Sequence, residues 1–191
     1  YCDENNISYY RGSDWDVLDR FYQAAMMFES KVKNIIRICS DNPLLSYREV
    51  DIVFNKYIEH NCDYFSNSNN SPDYLEDGFD VEVFSFDSLK IAWREANYLS
   101  EREHVCPYIK KHFKCAWQKI NNQYNFKLSV DDKNDLELVR KIFDHFGEND
   151  FGINDVVTFL NDNRDLLQIN KDSKINSGYE KSIENEKTIN H

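Results

Sequence analysis

At 191 residues, with 41% hydrophobic and 30% charged side chains but only 5 Gly and 3 Pro, the chain excludes the collagen-like, wholly disordered and disulfide-dense classes. Its 23 Lys and Arg against 34 Asp and Glu leave a formal charge of −11, which repels DNA, RNA and anionic membranes and excludes them as expected partners. No apolar run approaches the roughly 20 residues of a membrane span and no signal core opens the chain, so a cytoplasmic protein is expected.

The first strand-like stretch is short, residues 7–10, and the chain begins at Tyr1 without Met, as though entered in mid-domain. Ser13-Asp14-Trp15-Asp16 reads as a helix start with Ser13 as cap, followed by Val17, Leu18, Phe21, Ala24, Ala25 and Phe28 at helical spacing. Residues 35–39 of IIRICSDNPLL (35–45) read as a fully buried strand, and residues 47–59 as a helix with Val50, Val53, Phe54 and Ile58 on one face.

Residues 62–66 are a strand candidate, and the stretch 67–77 is rich in turn formers. Strand-like 81–84 precedes a helix over 86–97 and another opening at Ser100, inside whose pattern Pro107 marks a kink or a limit. Strands near 115–120 and 126–130 and helices near 133–145 and 153–162 complete the order. Strands alternating with helices predict one α/β layered domain with a mostly parallel sheet, spanning residues 1–165, with a polar tail over 166–191.

Ligands in such sheets bind beyond the carboxyl ends of the strands. Two carboxylates stand there, Asp41 after IIRIC and Asp131 after FKLSV. Magnesium takes one or two protein carboxylates and completes its shell with water and phosphate oxygens, so this pair suits a metal site. Taken singly, Asp41 before Asn-Pro more often reads as a turn former, and Asp131-Asp132 before a helix as an N-cap pair. Asp80 and Glu82 alternate about Val81 and so share one strand face, polar pocket or solvated surface. Glu103 and His104 are placed near a helix start, where either a substrate contact or simple capping fits.

The five cysteines, Cys2, Cys39, Cys62, Cys106 and Cys115, contain no CxxC and read as free thiols. His60 and Cys62 lack the second cluster a zinc site needs. Trp15, Trp93 and Trp117 read as core or pocket wall.

A resemblance rests on an ordered set of stretches. These are Tyr10-Arg11-Gly12-Ser13 with DVLDRFYQAA (16–25), then IIRICSDNPLL, GFDVEVFS (78–85), EREHVCPYI (101–109) and LSVDDKNDLELVRKIF (128–143). Together, over roughly residues 7–170, they resemble the SpsF family, cytidylyltransferases of spore coat polysaccharide biosynthesis related to CMP-KDO and acylneuraminate synthetases. The resemblance implies a GT-A-type, Rossmann-like nucleotidyltransferase, a three-layer sandwich joining CTP to a 2-keto sugar acid or related sugar, releasing pyrophosphate and giving a CMP-sugar.

By that likeness Asp41 and Asp131 are the expected Mg2+ ligands and catalytic pair, although Asp132 and Lys133 replace the family's usual Thr and Pro. Arg11, Asp19, Arg20, Asp80, Glu82, Glu103 and His104 are the expected nucleotide and sugar contacts. The family's Gly-rich, basic triphosphate loop has no counterpart among five isolated glycines, so an N-terminally truncated domain is expected. Related synthetases are often dimers, which leaves a homodimer open without an interface signature to support it. A glycosyltransferase that consumes a nucleotide sugar, and a non-catalytic remnant or interaction module, are the alternatives. Asp14-Trp15-Asp16 has the Asp-x-Asp pattern that a glycosyltransferase metal site uses, but it opens a helix.

Overall fold

The computed structural model describes residues 1–28, 31–68, 77–118, 126–147 and 150–173. The described residues fall into two compact units, one built from 1–35 and 84–115, the other from 36–83 and 116–173. The division between them falls within three strands.

The second unit carries most of a four-stranded sheet, made of β1 (Asn34–Ile38), β2 (Tyr64–Ser66), β3 (Val81–Ser85) and β4 (Cys115–Trp117), in spatial order β1-β3-β2-β4. Phe86 N donates to Lys33 O at 2.8 Å, so the residue after β3 lies beside the one before β1 and these strands oppose each other. Asn67 N on Val81 O, at 3.4 Å, sets the end of β2 against the start of β3 in the same way. Gln118 N on Ser66 O, at 2.8 Å, brings the ends of β2 and β4 together, so they run alike. Three strands therefore share a direction and β3 runs against them, giving the mixed α/β sheet of a Rossmann-like domain.

The stretch 35–39 differs from the expected buried strand. β1 is an edge strand, and Ile36 and Ile38 are exposed. Its run of Ile carried a burial signal that an unpaired edge does not honour. Residues 7–10 form no strand, and 126–130 stays extended with only an isolated parallel bridge, Asp77 with Lys127.

Apolar side chains of the second unit form two clusters. Val53 and Tyr57 from α2 (Tyr47–His60) meet Phe65, Val81 and Val83. The expected Ile58 is exposed, and Tyr57, one turn after Val53, takes the core position. Leu44, Phe79 and Leu128 pack with Leu138 and Ile142 of α6 (Lys133–Phe146) and with Val156 and Leu160 of α7 (Ile153–Asp162). The presumed polar tail begins inside this cluster. Leu166 and Leu167, in a 3-10 turn Arg164–Gln168, and Ile169 all pack against it. Residues 174–191 lie outside the described residues.

The first unit is helical. Here α1 (Val17–Met26) packs on α3 (Phe86–Glu95) and α4 (Leu99–His104), and α5 (Pro107–His112) follows with Pro107 as its first residue. Pro needs no N–H donor there, so it starts a helix rather than kinking one. The cap of α1 is Asp16, whose Oδ1 accepts from Asp19 N at 2.9 Å, while Ser13 Oγ accepts from Asp16 N one turn earlier. Trp15, read as core or pocket wall, is exposed and so not in the core. Trp93 stacks on Tyr22 with ring centroids 4.1 Å apart.

Candidate active site

The second unit gathers its acids where the carboxyl end of β1 meets the extended segment 126–131. Asp41 O accepts from Val130 N at 2.8 Å, which fixes Asp131, one residue on, beside Asp41. Burial pushes the Asp41 carboxyl up, and the negative charges of Asp131 and Asp77 push it further.

Asn42 lies between Asp41 and Asp80. In one orientation its amide donates to Asp80 Oδ2 at 3.4 Å. Turned over, it donates to Asp41 Oδ1 at 3.2 Å while its oxygen accepts from Asp80 N at 3.3 Å. Burial also raises the Asp80 carboxyl, against a bond from Ser68 and reinforced by Asp77.

Glu82 is engaged from both sides. Tyr64 Oη donates to Oε1 at 2.7 Å, and Arg37 forms an ion pair with Oε2. Burial pushes the Cys39 thiol up, with Arg37 opposing and Asp41, Glu82 and Asp80 adding to the rise. The expected Asp41, Asp80, Glu82 and Asp131 thus come together in one unit.

Three residues that the sequence reading passed over complete this site. Asp77, taken for the end of a turn-rich loop, accepts from Ser129 N at 3.1 Å and Ser129 Oγ at 2.6 Å. Gly78 lets this happen, since a Cβ there would stand 2.5 Å from Leu128 C and its φ is +100°. Lys127, taken for an ordinary strand residue, places its ammonium 2.8 Å from Asp135 Oδ2 and 2.9 Å from Asp131 Oδ2. The Asp-Gly pair at 77–78 was the one local signal of a close approach. Lys127 had none, because its partners are fixed only by the fold.

Asp135 is a second anchor. Its Oδ2 accepts from Asp131 N at 3.1 Å and Asp132 N at 3.3 Å, and Asn170 donates to its Oδ1 at 2.9 Å. Burial opposes ionisation, but Lys127 and Asn170 hold its carboxyl below the usual carboxylate range. The start of α6, a capping box of Asp132 and Asp135, is thereby locked to the segment that presents Asp131.

The other expected contacts lie in the first unit. Asp19 Oδ1 accepts from Trp93 Nε1 at 2.8 Å and from Gln23 at 3.1 Å. Arg20 packs its stem against Gly12, and its Nε is buried with no acceptor among the described residues. Arg11 sits over the Tyr9 ring at 5.8 Å. Glu103 and His104 end α4 rather than start it, 4.0 Å apart. The capping role belongs to Glu101, which accepts from Asn97 N and Tyr98 N.

Asp16 is not available as a metal ligand in an Asp-x-Asp motif. Its Oδ2 accepts from Arg102 at 2.7 Å and its Oδ1 from Asp19 N and Arg102 Nε. In the sequence Ser13 reads as the cap, and nothing local points to the Asp16–Arg102 pair. Among the described residues no three His, Cys, Asp or Glu side chains form a ready metal cluster, and no helix is long and apolar enough to cross a membrane. The five cysteines are free thiols.

A Rossmann-like sheet with its acids clustered beyond a strand end defines a nucleotide-handling α/β protein. The family model for cytidylyltransferases matches residues 6–168, and the chain belongs to that family. It is 33% identical over 175 residues to the protein MJ1063 of Methanocaldococcus jannaschii, covering 88% of this chain and 69% of that one. A cytidylyltransferase structure from Leptospira borgpetersenii shares the fold at a TM-score of 0.79 and 22% identity, over 87% of this chain and 71% of that one. The family carries nucleotidyltransferase activity on a nucleotide substrate.

Proposed function

We propose that the protein is a magnesium-dependent cytidylyltransferase of the SpsF-like group, which transfers CMP from CTP to a 2-keto sugar acid or related sugar for surface polysaccharide or glycan synthesis. The observation that carries this reading is Asp41 beside Asp131, tied by the Val130 N to Asp41 O bond and mutually repelling. Two carboxylates and open coordination positions suit Mg2+, and a cation there relieves the repulsion that raises Asp41. Asp41 and Asp131 would hold the ion, which when bound aligns phosphate oxygens and offsets their charge.

The protein's own groups do the rest by position. A sugar hydroxyl attacks the α-phosphorus in line, the bond to the bridging oxygen breaks, and pyrophosphate leaves. The hydroxyl proton passes to solvent. Asn42 holds Asp41 and Asp80 in register. Arg20, Arg11, Asp19, Glu82, Glu103 and His104 are further proposed substrate contacts.

Pyrophosphate release from CTP, Mg2+ and a panel of 2-keto sugar acids tests this reading. Asp41→Asn and Asp131→Asn are expected to lower the rate about a hundredfold or more. Full activity in both variants overturns the metal assignment, and turnover of a nucleotide sugar without CTP overturns the reaction.

A further inference from the structure

The environment of Lys127 contains one acceptor more than its ammonium has hydrogens. An ammonium carries three donors. Three acceptors already match them: Ser129 O at 3.0 Å, Ser129 Oγ at 3.1 Å and Asp135 Oδ2 at 2.8 Å. Asp131 Oδ2 stands fourth, at 2.9 Å.

The four partners are not equivalent. The Asp135 side chain is 0% exposed, so withdrawing Lys127 from it would strand a buried charge. Ser129 is buried as well, and its hydroxyl is tied to Asp77 at 2.6 Å. The Asp131 side chain is 48% exposed and can be taken by another cation while Lys127 keeps all three hydrogen bonds.

We propose that Lys127 is a stand-in cation, neutralising Asp131 in the metal-free site and yielding that carboxylate to a divalent ion without losing its anchor on Asp135 and Ser129. The inference rests on the assignment of Asp131 as a metal ligand. Lys127 is a positioning residue, since it touches neither substrate nor reacting atoms. Its charge neutralises Asp131 before metal arrives, and a divalent ion must displace that half-exposed pairing, although all three ammonium hydrogens keep their other acceptors.

The test is Mn2+ affinity, measured with Mn2+ alone by calorimetry and electron paramagnetic resonance, on the wild type, Asp131→Asn and the double variant Lys127→Met/Asp135→Asn. The double variant removes a cation and an anion together, so net charge is unchanged and no buried charge is stranded. It is expected to bind Mn2+ about threefold to tenfold more tightly, as befits loss of a half-exposed competing pair. Equal or weaker binding overturns the stand-in role. Wild-type affinity in Asp131→Asn overturns the metal assignment beneath it.

A second measurement needs no variant. The 15N-labelled Lys127 ammonium resonance should shift on adding Mg2+ yet stay protected from solvent exchange, because three bonds persist. An unmoved resonance, or one that loses protection, counts against the proposal.

Discussion

The backbone carbonyl of Asp41 accepts from the amide of Val130 at 2.8 Å, across 89 positions of sequence. One main-chain bond thus sets two acidic side chains, Asp41 and Asp131, near each other against their mutual repulsion. The fold supplies what the charges oppose.

A site held against repulsion costs stability, so the charge-neutral variant should be the more stable protein. Asp41→Asn is expected to raise the melting temperature, by about 0.5–1 kcal/mol of added stability, while lowering nucleotidyl transfer. Differential scanning calorimetry beside the pyrophosphate assay checks both halves, and a variant that loses stability together with activity contradicts the account.

Gly78 carries the opposite face of the same arrangement. Gly78→Ala places a Cβ 2.5 Å from the Leu128 backbone at a φ of +100°. Destabilisation of at least about 2 kcal/mol is expected from strain at such a site. Denaturant titration measures it, and added Mg2+ should not rescue the loss because the clash is with main chain.

The Asp16–Arg102 pair of the helical unit makes a separate prediction. Its side chains are 12% and 4% exposed, so Arg102→Met leaves a charge with no counterpart and should cost about 3–5 kcal/mol. Adding Asp16→Asn should recover much of that. A thermal double-mutant cycle that shows simple additivity would contradict the coupling.

At alkaline pH, Tyr108 should be the late tyrosine. Burial and its bond to Glu95, at 2.7 Å, push its hydroxyl up to about 12 from the usual 10.0. Below pH 10 the phenol is neutral in folded and unfolded chains alike. Between 10 and about 12 only the unfolded form ionises, so stability falls as pH rises through that window. Tyr108→Phe should flatten the fall, as followed by ultraviolet absorbance and circular dichroism.

Sequence reading succeeded where one residue type sufficed for a role. Helices α6 and α7 were legible because capping acids and a 3.6-residue repeat are local facts. Asp41 was visible as an acid after a strand-like run, and its partner Asp131 as an acid before a helix. What remained hidden was everything decided by a neighbour far along the chain. Lys127 looks like any strand lysine until Asp135 and Ser129 are placed around it, and Asp16 looks like a cap until Arg102 arrives 86 residues later. The edge position of β1 was equally hidden, since Ile36 and Ile38 carry the same side chains whether or not a partner strand covers them.

The place of β3 between two strands that precede it in the chain has a consequence for how the molecule is made. As the polypeptide emerges during synthesis, β1 and β2 appear first and are not neighbours in the finished sheet. Neither gains β3 as a neighbour until residues 81–85 slot between them, and Asp41 at the tip of β1 waits longer still, for the segment that carries Val130 and Asp131. Premature pairing of β1 with β2 would close the gap that β3 must enter. Long-range closure of this kind favours slow, late zipping of the sheet over early local nucleation.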